Sequence, residues 1–441
     1  MPTVRPFRAL RYSSEDVPDL AAVVAPPYDI VSPERRRQLV ARDPRNVVRL
    51  DLPSPEPGDA PDEPEQPYRR ASRLLSAWRS DGTLRRDPRP SLYPYEQTYC
   101  LPGGREQRTR LGVFATLALE PFGADSGVRP HERTLSAPKE DRYRLLRATG
   151  VNTSPVVGLY DDPSGDAAEW LAAATAGTPP VADVTDDDGV RHRLWRVEPG
   201  AMPEIASRSP ITIADGHHRY ETALRYRDER RREAPPTDGP APWDDVLALL
   251  LEPRAGPVDV LATHRVVRAI GGDGLARLDS RLRELFEVRP AAGRAELEAA
   301  FAPAAGASGG AGRFGLWTRS GGAILHVRQA LAPPGGAAGH GAYGSAVAGL
   351  DVTRLGLALD LLLGIGPDEV DAGTRIAYTK DAAEAIAWVD AGHDGADAAF
   401  LLDPTPAAAL LAVAAEGDVM PQKSTYIYPK ALTGLVINPL E

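Results

Sequence analysis

Residues 211–224 read ITIADGHHRYETAL, and this stretch restricts the architecture more than any other. Ile211 to Ala214 is short, apolar and rich in β-branched side chains, as a buried strand requires. From His217 onward, Tyr220, Ala223 and Leu224 recur at helical spacing. A single residue, Gly216, stands at the change of period. A strand that turns directly into a helix belongs to an architecture in which helices cover a sheet, so the fold class expected is mixed α/β.

The rest of the chain keeps to that class. The segment VVAPPYDIVSPERRRQLV offers Ser32 as a cap for a helix with Pro33 at its first position. Residues 91–100 and 107–118 flank Pro-Gly-Gly and read as a hairpin, and APKEDRYRLLRATG reads as a helix ended by Gly150. DVLALLLEP and VDVLATHRVV read as a pair of strands, after which helical and strand patterns alternate to residue 403. Four stretches rich in Pro, Gly and small residues, at 51–67, 232–243, 302–312 and 332–342, read as loops or linkers, because they hold too little apolar area to offset the entropy of ordering. The expected organisation is an α/β unit over 1–235 carrying the glycine turn and a second α/β unit over 244–441. Tyr426, Tyr428, Leu432 and Val436 give the closing segment something to bury, so it is expected to dock.

Composition matters here for what it removes. At 441 residues the chain is too long for one small core. A formal charge of −10, with both signs interspersed, leaves no broad basic footprint for nucleic acid. The single cysteine, Cys100, rules out an internal disulfide framework and a cysteine-built zinc site. No apolar run approaches the roughly 20 residues of a membrane helix, and MPTVRPFRALRY lacks a signal-peptide apolar core. These features predict a cytoplasmic protein with neither membrane nor nucleic acid as partner, and they leave its oligomeric state open.

The turn itself is suited to anions. The first amides of a helix have no intrahelical acceptor, the helix dipole is positive there, and glycine lets a phosphate approach the backbone. Asp215, at the strand end, is placed to hold Mg²⁺ or to take a proton, and Arg219 can fork onto phosphate oxygens. The same residues admit a purely structural reading, with Asp215 as an N-cap and His217 and His218 on a solvated face. Zinc is disfavoured, because adjacent helical residues point about 100° apart. The chain contains no Walker loop.

Further polar groups concentrate elsewhere. VRPHERTLSAPKED brings His131, Glu132, Arg133, Thr134 and Lys139 into and just after one expected loop; His131 and Glu132 suit acid–base or metal chemistry and Lys139 a phosphate. A charged helix start accounts for Lys139 to Arg142 equally well. Tyr28 and Asp29 follow two stiff prolines, Asn152 and Ser154 sit at a strand start, and His264 reads as a satisfied buried histidine. Lys423, Ser424, Thr425, Tyr426 and Lys430 fit either a polyanion or a docked edge.

Taken together, VVAPPYDIVS, PHERTLSAPKEDRYRLLRATGVNTSPVVGLY, IADGHHRYETAL, ATHRVV and MPQKSTYIYPKALTGLV resemble the bacterial and archaeal family called domain of unknown function 1015, from near residue 1 to near 440. More distantly, ADGHHRYETAL is similar to the nucleotide-binding turn of sulfiredoxins, of ParB-like proteins and of the free-serine kinases on the ParB/sulfiredoxin fold. That likeness implies a ParB/sulfiredoxin-like core, with Gly216, His217, His218 and Arg219 facing nucleotide phosphates and Asp215 beside the transferred group. No cysteine occupies the turn, which departs from sulfiredoxins, and there is no basic DNA-binding half like that of ParB proteins. The resemblance implies a nucleotide-dependent phosphotransferase with a serine-like hydroxyl acceptor, using ATP or ADP and Mg²⁺. On this reading Asp215, His131 and Glu132 are catalytic, Asp215 is the metal ligand, and Gly216 to Arg219 with Lys139 hold the nucleotide. The alternatives are a non-catalytic nucleotide-binding regulator and a metal-assisted phosphatase or hydrolase.

Overall fold

The computed structural model describes residues 1–441 apart from 57–58, 61, 124–125, 133–135, 234–238, 304–311, 329–330 and 332–343, and it describes no side chain at 136–138 or 371. Much of the four expected loops, and Arg133 and Thr134 of the HERT stretch, lie outside the described residues. The protein is mixed α/β. Two sheets carry it, and among the described residues no helix is long and apolar enough to cross a membrane.

The first sheet runs in the order Val128–Arg129, Ile211–Asp215, Val156–Leu159, Asp245–Leu251, Gln107–Ala118, Tyr93–Cys100, Arg191–Leu194 and Ala182–Thr185, with Val4–Arg5 also paired to Gln107–Ala118. The hairpin expected about Pro-Gly-Gly is its antiparallel centre, Tyr93 to Cys100 against Gln107 to Phe114. Asp245–Leu251 does not pair with the strand that follows it in sequence. It lies between Val156–Leu159, to which it is parallel, and Gln107–Ala118, to which it is antiparallel. The reason is burial: Val246 through Leu251 are all buried, and a strand apolar on both faces needs cover on both.

The first sheet therefore extends past the division expected between residues 235 and 244. The C-terminal segment joins it too. Asn438 pairs with Asn152, Ile437 bridges Leu10, and Thr433 bridges Ala25. Leu432 and Val436 are buried, and Tyr426–Tyr428 pairs with Asp259–Leu261.

The second sheet is antiparallel throughout, in the order Phe286–Pro290, Gly321–Val327, Arg313–Thr318, Ala396–Leu402, His264–Arg268 and Ile376–Thr379. Helices Gly271–Leu285 and Ala382–Ala391 pack on it, and Asp351–Leu363 packs against Gly271–Leu285. One apolar cluster spans the molecule, from Leu159, Ala214 and Leu249 of the first sheet to Phe314, Leu325 and Phe400 of the second.

Some of the loop expected at 51–67 is built into this frame. Asp51 ends the short helix Val48–Asp51, is 3% exposed and accepts a hydrogen bond from Thr153 Oγ1 at 2.6 Å, while Gln66 already begins the helix Gln66–Ser80. Charged residues mark this stretch as solvated in a sequence pattern, but buried partners distant in sequence override that signal.

A candidate anion site at the Asp215 turn

The strand Ile211–Asp215 and the helix His217–Glu233 meet at Gly216, whose φ is +87°. Only glycine takes that conformation without penalty. A Cβ on Gly216 would also come within 2.9 Å of Arg219 Nε and 3.0 Å of its Cζ. Gly216 brings no side chain to cap the helix, and backbone amides at a helix start are suited to an anion.

Parallel pairing then selects what faces the turn. Ile211 is opposite Val128 and Thr212 opposite Arg129, so both strands deliver their carboxyl ends to the same edge of the sheet. His131 arrives beside His217: its backbone N–H donates to His217 Nε2 at 3.3 Å, and the ring centroids are 4.7 Å apart. The two stretches thus converge, in direct contact rather than across a gap of phosphate width.

Asp215 lies inside a three-charge cluster. Arg219 Nη2 donates to Oδ2, and Lys430 Nζ donates to Oδ1. Arg219 also donates from Nη1 to the carbonyl of Pro155. The three side chains are only 10–15% exposed. Burial opposes ionisation of Asp215, but Lys430 and Arg219 outweigh it and hold the carboxyl well below the usual carboxylate range. One carboxylate against two cations leaves the cluster with a net positive charge, which suits an anion.

Lys430 is itself held. Arg110, 2% exposed, donates to the carbonyls of Tyr428 at 3.0 Å and Pro429 at 2.7 Å, and Gln97 Nε2 donates to the Lys430 carbonyl at 3.0 Å. The Lys430 ammonium also lies 4.5 Å from the Tyr426 ring centroid. Sequence reasoning placed neither Arg110 nor Gln97 near any site. Both lie on hairpin strands, where polar residues read as solvent-facing.

His131 is almost fully buried, 1% exposed, and both ring nitrogens are engaged. Nδ1 donates to the carbonyl of Ile213, which fixes the tautomer and leaves Nε2 to accept from Thr425 Oγ1 at 2.9 Å. Burial pushes its pKa down to about 4, and burial with the neighbouring His131 pushes His217 lower than usual. His218, half-buried, is lowered by burial and by Lys423.

Glu132 accepts from the backbone N–H groups of Lys423 at 3.0 Å and Ser424 at 3.4 Å, and the His131 carbonyl accepts from Met420 N–H at 2.7 Å. Residues 420–424 are therefore a strap tied to His131 and Glu132. Burial raises the Glu132 carboxyl, opposed by those backbone hydrogen bonds. At the rim, Lys139 Nζ donates to Glu221 Oε2 at 2.7 Å. Tyr28 stacks under Arg142 at 4.0 Å, and burial raises its hydroxyl to about 12. His264 is a satisfied buried histidine: its Nδ1 accepts from Leu402 N–H at 3.2 Å.

Both Asp215 oxygens are taken by cations, so a magnesium ion there would have to displace Arg219 or Lys430. Among the described residues no group of three or more His, Cys, Asp or Glu is arranged to hold a metal. The residues do not fit an all-protein magnesium site, and Asp215 is not placed as an open ligand for one.

Fold and site define a mixed α/β protein with a cationic strand–glycine–helix turn closed by a strap from the far end of its chain. The profile of the family described as "Protein of unknown function (DUF1015)" matches residues 4–353, and the chain belongs to that family. No curated protein matches it. Among solved structures it is similar to a conserved hypothetical protein from Pyrococcus furiosus (14% identity, 71% of this chain and 89% of that one, TM-score 0.35). It is also similar to a free serine kinase in complex with AMP (14% identity, 71% and 86%, TM-score 0.35). A third likeness is SbnI with C-terminal truncation from Staphylococcus aureus (10% identity, 71% and 84%, TM-score 0.32).

Proposed function

We propose that the Asp215 turn binds the phosphates of a nucleotide, ATP or ADP, and that the protein transfers a phosphoryl group to a small hydroxylated acceptor. The serine-like class of acceptor comes from the resemblance of the turn to that of free-serine kinases. The observation that carries the reading is the buried cluster of Asp215 with Arg219 and Lys430, one negative charge against two positive, at a helix start opened by Gly216. Phosphoryl transfer asks mainly for positioning and charge neutralisation, which such a cluster supplies.

The roles follow from the chemistry of each group. Arg219, Lys430 and the first-turn amides beside Gly216, His217 and His218 take phosphate oxygens, with Lys139 at the rim. Asp215 is a fixed anion that orients both cations, because a carboxyl held so low is a poor base. Glu132, whose carboxyl burial raises, is the better proton acceptor. In the transfer, the acceptor oxygen bonds to phosphorus, the bond to the nucleotide oxygen breaks with its electron pair, and the acceptor proton passes to Glu132. His131 positions Thr425 and the turn. Magnesium, where used, would come with the nucleotide phosphates.

The test joins binding to turnover. The melting temperature should rise with ATP or ADP at millimolar concentration, since a ligand of the native state stabilises it by mass action. Nucleotide should be consumed in the presence of small alcohols including free serine. Binding without consumption by any acceptor would favour the regulator reading, and no shift with ATP, ADP, CTP or GTP would sink both.

A further inference from the structure

A cavity of about 140 Å³ is lined by no residue of the Asp215 turn. It opens among the helix Asp351–Leu363, residues 365–370, the strand Ile376–Thr379 and residues 419–422, largely beyond residue 353 where the family profile ends. Its walls are mostly aliphatic, with Val352, Leu359, Ile365 and Ile376 among them. A space of this scale accepts a benzene-sized molecule.

Among the polar lining residues Arg265, Thr353, Asp360, Tyr378 and Gln422, Arg265 and Thr353 are the buried ones. Arg265 is 5% exposed; its Nη1 donates to the Thr263 carbonyl at 2.5 Å and its Nη2 to the Lys423 carbonyl at 3.3 Å. Among the described residues no carboxylate lies within ion-pair distance of it; the Glu132 carboxylate acts on it from farther off, and the Tyr378 ring centroid lies 5.7 Å from its guanidinium carbon. Thr353, 2% exposed, has a hydroxyl with no hydrogen-bond partner among the described residues. Asp360, the acidic residue of the lining, is exposed at the rim.

The helix itself points the same way. Gly356 sits in the interior of Asp351–Leu363, where glycine costs about 1 kcal/mol relative to alanine. It lines the cavity, and a Cβ there would meet no atom within 4 Å. Gly356 is exposed, so a long side chain at this position would stand at the mouth of the cavity.

We propose that this cavity is a binding site for a short, branched aliphatic carboxylate, with its charge on Arg265 and Thr353 and its chain against the aliphatic wall. Carboxylate matches the guanidinium fork, and a branched chain of five or six carbons matches the volume to order of magnitude. The occupant rests on Val419, Pro421 and Gln422, which belong to the strap tied to His131 and Glu132.

Calorimetric titration of the full chain with 4-methylpentanoate, without nucleotide, tests this independently of the phosphotransferase reading. The expected result is saturable one-to-one binding, with 4-methylpentanamide at least about tenfold weaker because it forfeits the charge-assisted hydrogen bonds. Gly356→Leu should fold at least as stably as the parent and weaken the binding by obstructing the mouth of the cavity. Equal binding of acid and amide, unchanged binding in Gly356→Leu, or no binding of straight or branched C4–C7 carboxylates at millimolar concentration would each overturn the proposal.

Discussion

Lys430 and Asp215 form an ion pair across 215 positions of sequence, and Arg219 completes it from one helical turn away. Lys430→Met removes one of two cations and brings the cluster to neutrality. Nucleotide affinity should fall by roughly tenfold or more while the fold persists, as read by thermal shift against nucleotide concentration. An unchanged affinity would place the phosphates elsewhere.

Asp215→Asn separates a cap from a charge partner. If Asp215 only capped the helix, asparagine would serve as well. Because it neutralises two side chains that are 10% and 11% exposed, the substitution should cost on the order of 3–5 kcal/mol. Chemical denaturation of the variant measures this; a loss under about 1 kcal/mol would contradict the buried cluster.

Gly216→Ala should be costly for two reasons. A φ of +87° is strained for any residue with a Cβ, by about 1–2 kcal/mol, and that Cβ would press on the Arg219 guanidinium. Loss of stability should be accompanied by loss of nucleotide binding.

Acidification should weaken the fold before most carboxylates titrate. His131 is held at about 4, as is His264, and His217 is also lowered, chiefly by burial. Below about 6.5 the unfolded chain binds protons that the native state refuses, so stability falls with pH from there down to about 4. Glu132 acts in the opposite sense, since its raised carboxyl favours the native state at low pH. The melting temperature of His131→Gln should therefore depend less on pH between 7 and 5 than that of the parent. Identical profiles would show that His131 is not buried as a neutral ring.

Thr425→Val leaves His131 Nε2 without its 2.9 Å partner in a closed space and should cost about 1–3 kcal/mol, whereas Thr425→Ser should cost far less. Denaturation of the two variants side by side separates the hydroxyl from the methyl group.

The strand, glycine and helix of residues 211–224 were legible because each is a local signal: β-branched alternation, a positive-φ residue and a 3.6-residue period. The caps at Ser32 and Gly150 were legible for the same reason. What failed locally was partner choice. Asp245–Leu251 is a strand by composition, but nothing within it states that it will insert between Val156–Leu159 and Gln107–Ala118. Lys430 belongs to a polar, aromatic segment that fits docking or anion binding equally well, and its pairing with Asp215 depends on Arg110 and Gln97, more than 300 positions away. His131 and Glu132 stand out in the sequence as reactive types; that one is sealed and the other tied to the strap is a property of packing.

The strap also carries a consequence for how the protein is made. A ribosome delivers Asp215, Gly216 and Arg219 long before residues 420–430, so the nascent chain holds a half-built cluster while the intervening segment is made. Until the strap arrives, His131 lacks Thr425 and Asp215 lacks Lys430. Contacts so distant in sequence form late in folding. In pulsed hydrogen exchange the amides of Lys423 and Ser424 should be among the last to gain protection, so a chain released too early carries the turn without the charge that completes it.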